Sequence, residues 1–201
     1  MPLKLPSMMK GWFNPSISPE ILLTRYIATS KEKYITLLVE QFNQSIYHYL
    51  LSQSDKEMAE DVMQQVWLKV MTTKAVNQTH NNVKSWLFTI ARNTLIDELR
   101  RQQRWQSQPI DEAVLSTDRL FAERMISHTL EQESDKNAKL TVFNHAITLL
   151  PFLQREAFIF QQEGFSVLQI SELTQDSFET IKSRLRYART HLKNFLEENH
   201  E

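Results

Sequence analysis

Apolar residues return every three or four positions over most of the chain, a spacing that predicts helices rather than strands. From Tyr26 to Leu51 the residues Leu37, Leu38, Phe42, Ile46, Tyr49 and Leu50 recur in this way. Asp55 to Val70 carries Met58, Val62, Val66 and Val70, each four positions after the last. Burying that stripe leaves Glu60, Asp61, Gln64 and Gln65 as a polar, acidic ridge on the other side. A polar loop, Thr72 to Asn82, comes next, and Val83 to Arg101 then repeats the pattern with Leu87, Ala91, Leu95 and Leu99. β-Branched clusters bounded by turn residues are scarce, and only two glycines and six prolines punctuate 201 residues, so the expected class is all-α.

The pattern divides into two small helical domains joined by a flexible linker. Residues 1–24, rich in Pro and Ser at their start and without a clear period there, read as a flexible arm. Residues 25–105 form the first domain, 106–140 the linker and 141–201 the second domain. Within the linker, Leu120, Met125, Ile126 and Leu130 make a weak stripe and a candidate helix over 119–130. In the second domain, Val142, Ala146, Ile147 and Leu150 predict a short helix, and Pro151 suits the first turn of the next. Gly164 is placed to cap that helix in a left-handed conformation. Ser166 with Gln169 spells a capping box. Thr174–Gln175–Asp176 is a break, and Ser177, or Asp176 with Glu179, opens a long last helix.

Charge sharpens the picture. The net charge is −1, yet Lys84 to Trp105 holds five bases against two acids, a net +3. Ser177 to Lys193 holds five bases against one acid, a net +4, and Gln106 to Leu140 between them is −3. Two basic patches on either side of an acidic connector suit local contact with phosphates. At about 3.3–3.6 Å per residue the connector reaches on the order of 100 Å. That exceeds two turns of duplex at about 34 Å each, so the patches can address separate sites on one DNA. The absence of cysteine excludes disulfides, thiol chemistry and cysteine-based zinc sites within this chain. No apolar run is long enough to span a membrane, and the N-terminal stretch lacks the apolar core of a secretory signal, so a cytoplasmic protein is expected.

The pair of helices from Gly164 to Lys193 has the form of a helix-turn-helix, whose second helix lies in the DNA major groove. Ser177, Phe178, Glu179 and Thr180 stand at its N-terminal end, where base edges are read; Lys182, Ser183, Arg184, Arg186 and Arg189 follow. Ile181, Leu185, Ala188 and Leu192 keep the opposite face apolar. In the first domain, Asn77, Gln78, His80, Asn81 and Asn82 give the loop donors and acceptors suited to an unstacked base. Trp86 and Phe88 are stacking candidates, though a Trp on an apolar helix is more often core. Lys84, Arg92, Asn93, Arg100 and Arg101 can hold phosphates. The six histidines are scattered without metal-ligand spacing, and no nucleophile signature accompanies them, so no catalytic residue, metal or cofactor is assigned.

Taken in order, AEDVMQQVWLKV, then NVKSWLFTIARNTLIDELRR, then a linker, then LPFLQREAFIFQQEGFSVLQISEL followed by ETIKSRLRYAR resembles the extracytoplasmic-function group of bacterial sigma factors, with that family's regions 2 and 4. The resemblance implies a promoter-recognition subunit of RNA polymerase. Glu60, Asp61, Gln64, Gln65 and Lys69 would then dock on the clamp helices of the β′ subunit. The polar loop with Lys84, Trp86, Arg92, Asn93, Arg100 and Arg101 would read and melt the −10 element. The helix-turn-helix, residues 166–189, would read the −35 element and meet the β flap. Partners implied are core polymerase, promoter DNA as duplex and melted strand, and an anti-sigma protein. Thr174–Gln175–Asp176 stands where the family usually carries Leu-Gly-Ile, which bears on the pose of the recognition helix. The rival reading is a stand-alone helix-turn-helix regulator that acts without polymerase.

Overall fold

The computed structural model describes residues 17–72, 82–105 and 138–198, and the regular structure among them is all helical. The helices are α1 (Pro19–Thr29), α2 (Glu32–Gln53), α3 (Lys56–Thr72), α4 (Val83–Trp105), α5 (Ala138–Thr148), α6 (Phe152–Gln162), α7 (Val167–Thr174) and α8 (Phe178–Glu198). The first four form one bundle and the last four a smaller one. The candidate helix over 119–130 lies outside the described residues.

The helix expected over Tyr26 to Leu51 is two helices. The first, α1, corrects the extent of the flexible arm: residues 1–16 lie outside the described residues, but 19–24 are helical. Ile21 N donates to Ser18 Oγ at 3.4 Å, and Pro19 occupies the first helical position, where its missing N–H is not needed. Ser18–Pro19–Glu20 is thus a helix opening, masked in the sequence by the irregular stretch before it. Leu22 and Leu23 are buried in the core, and Ser30 ends α1 in the left-handed region at φ 50°.

On α2, Ile35, Leu38, Phe42, Ile46, Tyr49 and Leu50 are buried, whereas Leu37 is exposed. Asp55 Oδ1 accepts from Met58 N at 2.9 Å and starts α3. The α3 stripe Met58, Val62, Val66 and Val70 is buried as expected, joined by Ala59, Met63 and Trp67. Trp67 Nε1 donates to Asn43 Oδ1 at 3.0 Å, which ties α3 to α2. Val83, Leu87, Phe88, Ala91 and Leu95 of α4 complete the core. Each fully buried Val, Leu or Phe side chain among them contributes about 1.5–3 kcal/mol.

In the second bundle α5 begins at Ala138, inside the stretch read as linker. Gly164 adopts φ 87°; its N–H donates to Gln161 O and that of Phe165 to Phe160 O, both at 3.0 Å, which closes the C-terminus of α6. Ser166 and Gln169 form both halves of the capping box. Ala146, Leu150, Phe158, Ala188 and Leu192 make a small core of their own.

The two bundles are packed together. Helix α6 lies on α2, and α7 on α4. Tyr49 stacks on Phe160 with ring centroids 4.7 Å apart, and Phe165 meets Phe88 edge-on at 5.0 Å. Ala157, Phe160, Phe165, Ile170, Leu173, Ile181 and Leu185 thereby join the core of the first bundle. A linker long enough to hold the bundles far apart is compatible with this closed arrangement, and the aromatic contacts supply the reason for closure.

Candidate nucleic-acid interface

Three surfaces carry the candidate residues. The first is the outer face of α3. Glu60, Asp61, Gln64 and Lys69 are exposed and Gln65 is half-buried. Lys69 Nζ donates to Thr94 Oγ1 at 2.8 Å, which anchors it beside α4. Leu68 is 58% exposed and Met71 43%. Positions 61, 64, 68 and 71 share one face, so the acidic ridge continues into an apolar pair. Leu68 and Met71 fall outside the sequence-predicted contact set, although two apolar residues lying off the buried stripe were the available signal.

The second surface is the α4 side. Asn77, Gln78, His80 and Asn81 lie outside the described residues. Asn82 caps α4, its Oδ1 accepting from Ser85 N at 2.9 Å, and Glu20 Oε1 of α1 accepts from Val83 N at 3.3 Å. Trp86 is half-buried against the core. Phe88 is fully buried and is a core residue, not a base-stacking one. Asn93, Arg100 and Arg101 are exposed; Arg100 lies 4.0 Å from Asp97, and Arg101 is paired with Glu98 at 2.6 Å.

Lys84 and Arg92, by contrast, turn toward the second bundle. Arg92 Nε donates to Glu156 Oε1 at 3.0 Å and Nη2 to Oε2 at 3.2 Å. Tyr49 Oη donates to the same Oε1 at 2.9 Å. Glu156 is fully buried. Burial pushes its carboxyl pKa up, and Arg92 and the Tyr49 hydroxyl partly offset that rise. Burial first, and the Glu156 charge second, push the Tyr49 hydroxyl well above its ordinary value. Lys84 Nζ donates to the Glu163 carbonyl, lies 3.7 Å from the Glu163 carboxylate and sits 5.0 Å from the Phe165 ring centroid. Beside them Arg155, 1% exposed, donates to Gln53 Oε1 at 3.2 Å and to the carbonyls of Thr148 and Leu150 at 2.7 and 3.1 Å. Sequence reasoning missed Glu156, Glu163 and Arg155, because their partners on α2 and α4 are distant in the chain.

The third surface is α8. Its buried face is Ile181, Leu185, Ala188 and Leu192, as the spacing predicts. Ser177 is the cap, its Oγ accepting from Thr180 N at 3.1 Å. Phe178, Glu179, Lys182, Arg186 and Arg189 are exposed, and Thr180 and Ser183 half-buried. Lys182 Nζ lies 3.2 Å from Glu179, and Arg189 Nη2 donates to Gln161 Oε1 at 2.7 Å. Tyr187, absent from the sequence-predicted set, is 52% exposed with the Arg186 guanidinium 5.0 Å from its ring centroid. Arg184 differs from its neighbours: its guanidinium is gripped by Asp176 and its side chain is only 15% exposed. Among the described residues no cluster of His, Asp or Glu could hold a metal, and no helix is long and apolar enough to cross a membrane.

Residues 38–105 match the family described as Sigma-70 region 2. The chain is 26% identical over 182 residues to the ECF RNA polymerase sigma factor SigX of Bacillus subtilis, covering 83% of this chain and 88% of the relative. It is 30% identical over 178 residues to the ECF RNA polymerase sigma factor SigL of Mycobacterium tuberculosis, covering 85% of this chain and 93% of the relative. In three dimensions it is similar to the sigma factor RpoE of Bartonella quintana, solved with the anti-sigma factor NepR, at a TM-score of 0.60 and 26% identity over 81% of this chain and 96% of that one. A capped helix-turn-helix with a basic face, an acidic ridge on a neighbouring bundle and full-length relatives of one kind converge: the chain belongs to the extracytoplasmic-function RNA polymerase sigma factors.

Proposed function

We propose that this chain directs promoter-specific initiation by seating on core RNA polymerase through α3 and holding the −10 and −35 elements through its two basic surfaces. The family supplies the activity. The observation that carries the residue assignments is the pairing, on one chain, of the exposed α3 ridge with the exposed basic face of α8. Glu60, Asp61 and Gln64 would contact polymerase through charge and amide, with Leu68 and Met71 adding apolar area. Lys182, Arg186 and Arg189 would hold −35 phosphates, and Ser177, Phe178, Glu179 and Thr180 would face base edges.

The loop before α4, with Asn82, Trp86, Asn93, Arg100 and Arg101, would receive the melted −10 strand. Capture of extruded bases offsets an unstacking cost of a few kcal/mol per base, so melting needs no catalytic group. Lys84 and Arg92 join this surface only when the second bundle leaves α4, so the closed arrangement must open for the whole −10 face to engage. The protein acts in the cytoplasm, where its polymerase is. A protein of the anti-sigma class is a further proposed partner, in keeping with the complex in which the RpoE relative was solved.

Run-off transcription with purified core enzyme tests the reading; it expects initiation from one promoter class, and an absence of promoter-specific transcripts refutes it. A stand-alone regulator would bind duplex equally well with Asp61 reversed to Lys, whereas a sigma factor loses polymerase affinity and keeps duplex affinity.

A further inference from the structure

The turn between α7 and α8 is built without glycine. Gln175 holds φ 61° and ψ 27°, a left-handed backbone that strains a residue bearing a Cβ and persists only where its surroundings fix it. Several contacts do so. Thr174, buried, donates through Oγ1 to Ile170 O at 2.9 Å. Ser171 Oγ donates to Asp176 O at 2.6 Å. The Asp176 carboxylate then takes both arms of Arg184, Nη1 to Oδ2 at 2.5 Å and Nη2 to Oδ1 at 3.1 Å. Arg184 lies about two turns into α8, so this fork ties the turn to the body of the recognition helix. The pair is sheltered, at 15% and 28% side-chain exposure, and the Arg184 charge also acts on buried Glu156 of α6. A guanidinium committed at both ends to a carboxylate and largely covered is poorly placed to reach a base edge or a phosphate.

We propose that Asp176 and Arg184 are positioning residues for −35 recognition: their bidentate pair sets the angle at which Phe178, Lys182 and Arg186 meet the duplex. This deepens the reading of α8 as the −35 helix and rests on it, and it moves Arg184 from the contact set to the support beneath it. The bidentate geometry matters, because a lysine offers a point charge without the planar fork that matches a carboxylate.

The test uses the full chain. Wild-type protein selects duplexes from a randomised library, and the winning duplex and its single-base variants then serve as probes across a salt series. Failure of the wild type to select any sequence would refute the −35 assignment itself, apart from the proposal. Given a selected site, Asp176→Ala and Arg184→Ala should each flatten base discrimination at several positions by about tenfold, with the slope of affinity against salt unchanged. The double variant should be no worse than either single one, the signature of residues acting as one unit. Arg184→Lys should fail to restore discrimination. Circular dichroism and melting accompany each variant, and should an alanine variant not fold, Asp176→Asn, which keeps the shape, is expected to show the same flattening. The proposal is overturned if Arg184→Ala lowers the salt slope by about one, which marks a phosphate contact, or relaxes a single base position, which marks a direct reader. It is equally overturned if the two losses add, or if affinity falls uniformly with discrimination intact.

Discussion

The outer faces of α3 and α4 both carry candidate contacts, and the closed chain leaves one in solvent while occupying part of the other. On α3, Glu60, Asp61, Gln64 and Leu68 are exposed. On α4, Arg92 is held by Glu156 and Lys84 by Glu163. Packing accounts for the difference: the second bundle lies on α2 and α4, where Glu156 and Glu163 meet the bases of α4, and the outer face of α3 stands away from it. On the proposed assignment, docking on polymerase needs no separation of the bundles, while full engagement of the melted strand does. On that assignment the chain would bind polymerase before it exposes all of its strand-binding surface.

The largest expected effect on this comparison comes from Phe160→Ala. Phe160 is fully buried between Tyr49 and Phe88, and its loss should cost about 3–5 kcal/mol. Denaturant melts measure that cost. Energy transfer between dyes on two introduced cysteines, specific because the chain has none, should show the bundles apart. Polymerase affinity should hold within about twofold. Bundles that stay together would remove the aromatic cluster as the cause of closure.

Glu156→Ala comes next. It leaves Arg92 and the Tyr49 hydroxyl without their carboxylate, at a cost of about 3 kcal/mol. Affinity for a single-stranded −10 oligonucleotide should rise as Arg92 is released, and an unchanged affinity would separate Arg92 from strand binding. Glu156→Gln, which keeps the size but offers one acceptor oxygen where the carboxylate offers two, should weaken closure less than the alanine variant.

Asp61→Lys probes the other face. Polymerase affinity should fall about tenfold, while the dye separation and −35 binding stay as in the wild type. A fall in polymerase affinity together with opened bundles would mean that the faces are coupled and the contrast between them is false.

The smallest effect is the pH dependence. Burial holds the Glu156 pKa above its ordinary value, so the closed chain binds that proton more tightly than the open one. This group favours closure fully below the ordinary glutamate value of about 4.3, and the contribution fades as pH rises through the raised one. The closed fraction should decline across that window in the wild type and stay level in Glu156→Gln.

Much of the secondary structure was legible because its causes are local. The α3 stripe recurs every four residues, Gly164 supplies a φ that a Cβ resists, and Ser166 and Gln169 lie within reach of each other's backbone. The basic face of α8 follows from the same periodicity. The α1 opening at Ser18–Pro19 was present in the sequence but hidden by what precedes it. For the candidate site, periodicity separated exposed from buried positions on α3 and α8. It did not distinguish a base that faces solvent from one already paired.

By itself, then, the sequence determined an all-helical chain, the faces its helices bury, and two basic surfaces either side of an acidic connector. Only the tertiary structure decided that Arg92 meets Glu156 across 64 positions of chain, that Phe160 stacks on Tyr49, and that Arg184 folds back on Asp176. The reason is physical: helix formation and capping depend on neighbours within about four residues, whereas the partner of a charge depends on which helices pack side by side.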